Sequence, residues 1–299
     1  IVDIDEASLL REGQWPWPRQ RLAQLVETLF AHYQIRLLAF DIVFAEAERN
    51  LALTALDALA RGALRDDAAF QQHWADLRPQ LTGDERLAAS FRNRAVVMGY
   101  YFAMPDQQGG DLRVGQLPPA AAPMTVLGHS PNPFATAAGY SANLAQLQTS
   151  ATGGGFFNRT LLDPDGLFRR LPLLVGYDGQ FYEHFSLAVV RTLLGQPPLE
   201  FITAAGYRDG EQRIEAVRIG AFDIPIDAQG AALAPYRGPQ GSFPYISASA
   251  VLDRQADPQV LTGAIVLVGA TAAGLMDLRA TPVQNIYPGV EVNATLIAG

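Results

Sequence analysis

"IRLLAFDIVF", residues Ile35 to Phe44, runs almost unbroken in apolar side chains after Arg36, with one carboxylate, Asp41, near its end. A short run of this kind reads as a strand buried on both faces, as parallel sheets contain. Upstream, Leu22, Leu25, Val26, Leu29, Phe30 and Tyr33 fall at i, i+3, i+4, i+7, i+8 and i+11, a single apolar stripe on a helix. Pro18 suits that helix's first turn, where a missing N–H costs nothing. Before it, "IVDID" (Ile1 to Asp5) alternates apolar and acidic residues at strand period. Strand, helix and strand within about 45 residues make a βαβ unit, so the sheet is at least partly parallel.

Working outward, residues of about 46–92 carry a helical pattern with breaks near Gly62, Pro79 and Gly83, and Thr82 with Glu85 offers a capping box. "RAVVMGYYF" (Arg94 to Phe102) reads as a third strand, and residues from Met104 to Thr152 as a long surface excursion. An antiparallel subregion is expected over about 155–237, with turns at Asp163 to Gly166, at Asp178-Gly179, at "RDG" and at "DAQG". "HFSLAVVRTLLG" is a helix ended by Gly195. "YISASAVLD" carries a helix start at Ser247 or Ser249, "GAIVLVGAT" (Gly263 to Thr271) is a core strand, and "YPGVEVNATLIAG" opens a last helix. The fold class is α/β: a parallel or mixed central sheet, flanking helices and an antiparallel β subregion, in one domain over 1–299.

Composition removes whole chemistries. All 22 basic residues are Arg, which excludes a Walker lysine, a Schiff-base lysine and a lysine general base. Cysteine is absent, so there are no disulfides and no thiolate nucleophiles or ligands. A net charge of -8 without a basic run opposes nucleic-acid binding. The longest apolar runs fall short of the roughly 20 residues that cross a bilayer, and a first residue of Ile suggests a piece of a longer protein. The four histidines have no ligand spacing, and neither GxSxG nor HExxH occurs. "GATAAG" (Gly269 to Gly274) lacks the GKS/T ending of a phosphate loop, and "GGGFFN" (Gly153 to Asn158) precedes a strand; both read as turns or close packing.

The acidic strand ends are the chemical signal. Asp3, Asp5 and Asp41 lie on two strands of one βαβ unit, and Asp277 follows the strand that ends at Thr271. Groups at the carboxyl ends of parallel strands gather in one crevice. Together the four carboxylates could hold a hard cation in a metal-dependent hydrolase; pairing with arginine or backbone N–H is the favoured alternative, since buried carboxylates must be compensated. Arg169 and Arg170 point to opposite faces of a strand, so one of them could face Asp5 or Asp41. In "GQWPWPR", Trp15 forms either an aromatic wall over the crevice, with Arg19 facing the carboxylates, or a plug over the βα junction; the plug is favoured because indoles bury large area.

These segments, "IVDIDEASLL", "GQWPWPR", "LLAFDIVF", "DPDGLFRRLPLL", "FSLAVV", "GAIVLVGATAAGLMDLRATP" and "PGVEVNATLIAG", resemble in order and from end to end the type-2 CHASE domain, CHASE2. The resemblance implies an extracytoplasmic sensory domain, non-catalytic and without a cofactor, on the periplasmic or external side of the cell inner membrane. It would be tethered by helices outside this chain and followed by a cyclase, diguanylate cyclase, histidine kinase or Ser/Thr kinase output. Paired outputs would call for a homodimer; the extracytoplasmic ligand is not implied. Two departures stand out: Asn293 where the family commonly has His, and the helical block at 46–92, which exceeds what the core requires and reads as an insertion.

Overall fold

The computed structural model describes residues 1–105, 111–158, 161–205, 212–275 and 277–299. Three strands, β1 (Val2–Ile4), β2 (Leu37–Phe40) and β3 (Val96–Ala103), carry the apolar runs that the sequence marks. β1 and β2 are not neighbours, however. The strand Ile265–Ala270 lies between them, parallel to both, pairing Val2 with Val268 on one side and Phe40 with Val268 on the other. Ile246–Ser247 extends the sheet beyond β1, and β3 follows β2, again in parallel.

β3 outlasts β2, and its two edges part company. Leu38 N–H bonds to Ala95 O on the β2 side, and beyond Phe40 the antiparallel strand Gly139–Ser141 takes over against Tyr101–Ala103. The opposite edge pairs in parallel with Gly153–Phe156 and is finished by a side chain. Asn158 Oδ1 accepts from Phe102 N–H at 2.9 Å and its Nδ2 donates to Phe102 O at 2.7 Å, so an amide substitutes for the next peptide. Residues 104–152 therefore do more than cross the surface: they add Gly139–Ser141 to the sheet and bring in Asn143, which is fully buried and ties Phe44 N–H to Gly99 O.

Strand alternation divides the core into two layers. Val2, Ile4, Leu38, Phe40, Val96, Met98, Val266 and Val268 share a core cluster with Leu9 of helix α1 (Glu6–Glu12), with helix α2 (Arg19–Ala31) and with the later helices Gly83–Phe91 and Ala248–Leu252. Leu37, Ala39, Val97 and Leu267 face the helices Phe185–Leu193 and Gly289–Ala298 on the other side. The α2 stripe is buried as its periodicity predicts, with Phe30 only partly covered; Pro18 sits one residue before the helix, as its cap.

The helical block resolves into Leu51–Arg61, Ala68–Leu81 and Gly83–Phe91. Only the third packs into the core; Leu51–Arg61 buries no residue. Pro79 does not break its helix but lies in the last turn, and the expected capping box is not formed: Thr82 Oγ1 donates back to Pro79 O. Small antiparallel sheets make up the rest. Leu174–Tyr177 and Gln180–Glu183 form a hairpin with Asp178 and Gly179 at positive φ, as a type I′ turn needs. Leu199–Ala205, Gln212–Ile219 and Phe222–Pro225 form a second antiparallel sheet; the "RDG" turn at 208–210 lies outside the described residues. Gly153–Phe156 is itself a strand, and its glycines serve close packing: a Cβ on Gly155 would stand 2.5 Å from the Phe185 backbone.

Candidate functional site

Because Ile265–Ala270 separates β1 from β2, the carboxyl edge of the sheet presents Asp5, Thr271 and Asp41 on successive strands, and the aspartates fall into two groups. Asp3 is buried at 6% exposure and accepts from Thr271 N–H at 2.9 Å and from Thr271 Oγ1. Burial pushes its pKa up, against the pull of those two bonds. Asp5 caps the helix Glu6–Glu12, accepting from Ser8 N–H at 2.8 Å, and also takes the Ser247 hydroxyl at 2.8 Å. Both are compensated by backbone and hydroxyl donors rather than by arginine.

Asp41 and Asp277 form the second group, across a crevice of about 270 Å³ whose walls include Trp15, Tyr101 and Phe157. Burial pushes the Asp41 carboxyl up to about 7; the Asn293 amide pulls the other way, donating from Nδ2 at 3.3 Å, and Asp277 reinforces the rise. Asp277 is likewise raised by burial, though Arg279 sits 2.6 Å away. Tyr101 is raised by burial and by these two carboxylates.

The tryptophans split between the two expectations. Trp17 is the plug, 2% exposed with Nε1 donating to Gly13 O at 2.9 Å, and Trp15 packs edge-on against it and lines the crevice. Arg19 does not face the carboxylates of the crevice: it bonds Asp84 at 3.1 Å and stacks over Phe44. Arg169 is also elsewhere, held by Asp163 and Asp165. It does not point opposite to Arg170 as strict alternation would require. Leu161 pairs with Arg170 and Leu162 with Phe168, so Arg169 is a bulge residue, and both guanidinium groups reach Asp163. Thr271 belongs with Asp3, outside the crevice walls.

No three His, Asp or Glu side chains among the described residues come together as metal ligands, which the hydrolase alternative required of Asp3, Asp5, Asp41 and Asp277.

Sequence reasoning found the last helix but missed that Gly289 and Asn293 on it meet the crevice carboxylates. Gly289–Ala298 begins where Gly289 N–H donates to Asp277 O at 2.8 Å, and a Cβ on Gly289 would stand 2.8 Å from Asp277 Oδ2. Asn293, 5% exposed, bonds Asp41 through its amide nitrogen and receives the Ser186 hydroxyl at 3.1 Å on its oxygen. It thereby links the crevice to the helix Phe185–Leu193. The sequence Asn293-Ala294-Thr295 matches a glycosylation acceptor formally, which carries nothing at a buried helical position. Glu291, fully buried, accepts from Gly241 N–H and from Tyr245 hydroxyl at 2.8 Å. The available signal was three polar residues, Glu291, Asn293 and Thr295, inside an otherwise apolar helix, "GVEVNATLIA".

The fold is thus a mixed α/β sheet with a helix fastened beneath a half-buried acidic crevice. The chain matches the family described as CHASE2 domain over residues 1–299 and belongs to it. CHASE2 domains are extracytoplasmic sensory domains of receptors. No curated protein and no solved structure shows significant similarity to the chain. Among the described residues, no helix is long and apolar enough to cross a membrane.

Proposed function

We propose that this chain is the input domain of a membrane-bound receptor. It stands on the periplasmic side of the inner membrane, works without catalysis of its own and sets the activity of a cytoplasmic cyclase or kinase, paired in a homodimer. The crevice of Trp15, Asp41, Tyr101 and Asp277 is where the stimulus acts, and the last helix is what moves. One observation carries this: Gly289 and Asn293, a turn apart on Gly289–Ala298, are bonded to Asp277 and Asp41. Occupancy of the crevice, or loss of the Asp41 proton, therefore changes the contacts of that helix directly. A stimulus acts by binding one of two states better than the other. Of the block 46–92, residues 51–81, which lie outside the core clusters, are the insertion on this view, since Gly83–Phe91 packs into the core.

The test is made in the intact receptor. Asp41→Asn and Asn293→Ala should each shift basal output several-fold at equal protein level, whereas Arg65→Ala, on the exposed helical block, should leave it unchanged. Output indifferent to both crevice substitutions would overturn the proposal. An alkaline phosphatase fusion to this chain that stays inactive would overturn its placement outside the cytoplasm.

A further inference from the structure

Asp41 and Asp277 share their crevice with three aromatic rings, Trp15, Tyr101 and Phe157. The remaining walls are apolar side chains and backbone, and no basic side chain is among the described residues that wall it. Arg279 bonds Asp277 Oδ2 from outside those walls, and Asn293 bonds Asp41 Oδ2. The Oδ1 atom of each carboxylate has no hydrogen-bond partner among the described residues. Asp41 keeps some accessible surface and Asp277 is exposed. The rings are braced from behind: Tyr101 packs edge-on against Phe157 at 4.6 Å between centroids, and Trp15 against Trp17 at 5.9 Å. The site also stands where open α/β sheets hold their ligands, at the carboxyl ends of parallel strands.

These walls select among occupants. An anion meets two carboxylates. A hard metal ion asks for six or more oxygens, and no three acidic or histidine side chains converge among the described residues. A neutral apolar molecule strips water from the carboxylates and returns nothing. An ammonium group supplies N–H donors for both carboxylates and a positive charge that aromatic faces attract. At about 270 Å³ the crevice is just below the roughly 300–1,000 Å³ of drug-sized sites, so the occupant is small. We propose that the crevice binds a small organic ammonium ion, its N–H groups donated to Asp41 and Asp277 and its apolar body set against Trp15, Tyr101 and Phe157. Asp41 holds a proton up to about pH 7, and the arriving charge displaces it. Of the groups that face Asp41, Asp277 strengthens its hold on that proton and Arg279 weakens it, while the Tyr101 phenol is itself pushed up and stays neutral. Once Asp41 is ionised, its bond from Asn293 becomes charge-assisted and grips the last helix harder. As the identity of the stimulus this inference rests on the sensory proposal; the binding does not.

The 299-residue chain is titrated calorimetrically in phosphate buffer with 2-phenylethylammonium, with 2-phenylethanol and with 3-phenylpropanoate. The ammonium ion should bind, and about tenfold more tightly at pH 8 than at pH 6, as displacement of one proton held to about pH 7 requires. The alcohol should bind about tenfold more weakly at pH 8, and the carboxylate not at all. Asp41→Asn, which keeps the shape and loses the charge, should weaken the ammonium about tenfold at pH 8 and flatten its pH dependence. Trp15→Ala should weaken it several-fold at both pH values. Absence of ammonium binding, or binding that neither substitution alters, overturns the site. Alcohol or carboxylate binding as tightly as the ammonium overturns its cationic character. If Asp41→Asn does not fold, the wild-type pH dependence and Trp15→Ala decide. Ammonium binding with no change in the output of the intact receptor leaves the site standing and counts against the sensory proposal. Output that responds to crevice substitutions in a chain that binds no ammonium overturns this occupant and leaves the sensory proposal standing.

Discussion

Asp41 keeps a proton that an exposed aspartate loses near pH 4, because its carboxyl is buried and the bond donated by the Asn293 amide offsets that burial only in part. Between the unfolded value, 3.8, and the folded value, about 7, the native state binds a proton that the unfolded chain has released. Stability therefore falls as pH rises through this window, by at most about 4 kcal/mol. Asp41→Asn, neutral at every pH, should match the wild type at pH 4 and become increasingly more stable than it towards pH 8, as read from thermal melts across that range. Glu183, raised to about 7 by burial despite Arg191, has the same sign and cancels in the difference. A gap between the two melting curves that does not grow with pH would show that Asp41 is ionised in the fold. At this scale the sequence was half legible. That Asp41 stood in an apolar run was plain, and so was its need for compensation. Its partner was not: Asn293 lies 252 residues away, and nothing local distinguishes an amide from an arginine as the answer.

Elements were legible where periodicity is long and misread where geometry is local. α2 was visible because six apolar positions repeat on one face, while the Arg169 bulge was invisible because one extra residue leaves no mark on composition. The helical block shows the difference between recognising helices and placing them. Leu51–Arg61 and Ala68–Leu81 pack on each other, with Trp74 nearly buried, and leave Leu51, Leu59 and Leu77 exposed. Their ends meet: Asn50 Nδ2 donates to Leu81 O at 3.1 Å. Thr82 and the helix Gly83–Phe91 rejoin the core at that point. Replacing residues 51–81 by a short Gly/Ser linker should therefore leave a cooperatively folding chain whose melting temperature falls by a few degrees at most, since closing a shorter loop costs little. Circular dichroism would show the loss of two helices and a retained transition. Loss of the transition would mean that the hairpin is part of the core and not an insertion.

The order of strands in the sheet was the least legible property of the whole molecule. "IVDID", "IRLLAFDIVF" and "GAIVLVGAT" each announce a buried strand, yet nothing in any of them says that the third separates the first two. Apolar pattern encodes burial, and all three positions are equally buried. The consequence is a strongly non-local core. Every residue of Ile265–Ala270 has a registered partner in β1 or β2, and Val2 pairs with Val268, 266 positions away. Until that strand is in place, β1 and β2 present open edges and Leu38, Phe40, Val2 and Ile4 lack a continuous sheet beneath α2. The N-terminal βαβ unit, which looks self-sufficient in the sequence, is thus predicted to be unable to fold by itself. A fragment of residues 1–262 should keep much of its helical signal but bind a hydrophobic dye and melt without a cooperative transition. The full chain should refold slowly for its size, as pairings of high sequence separation demand. A sharp, dye-free melt of the fragment would show that β1 and β2 pair directly in the absence of the strand between them.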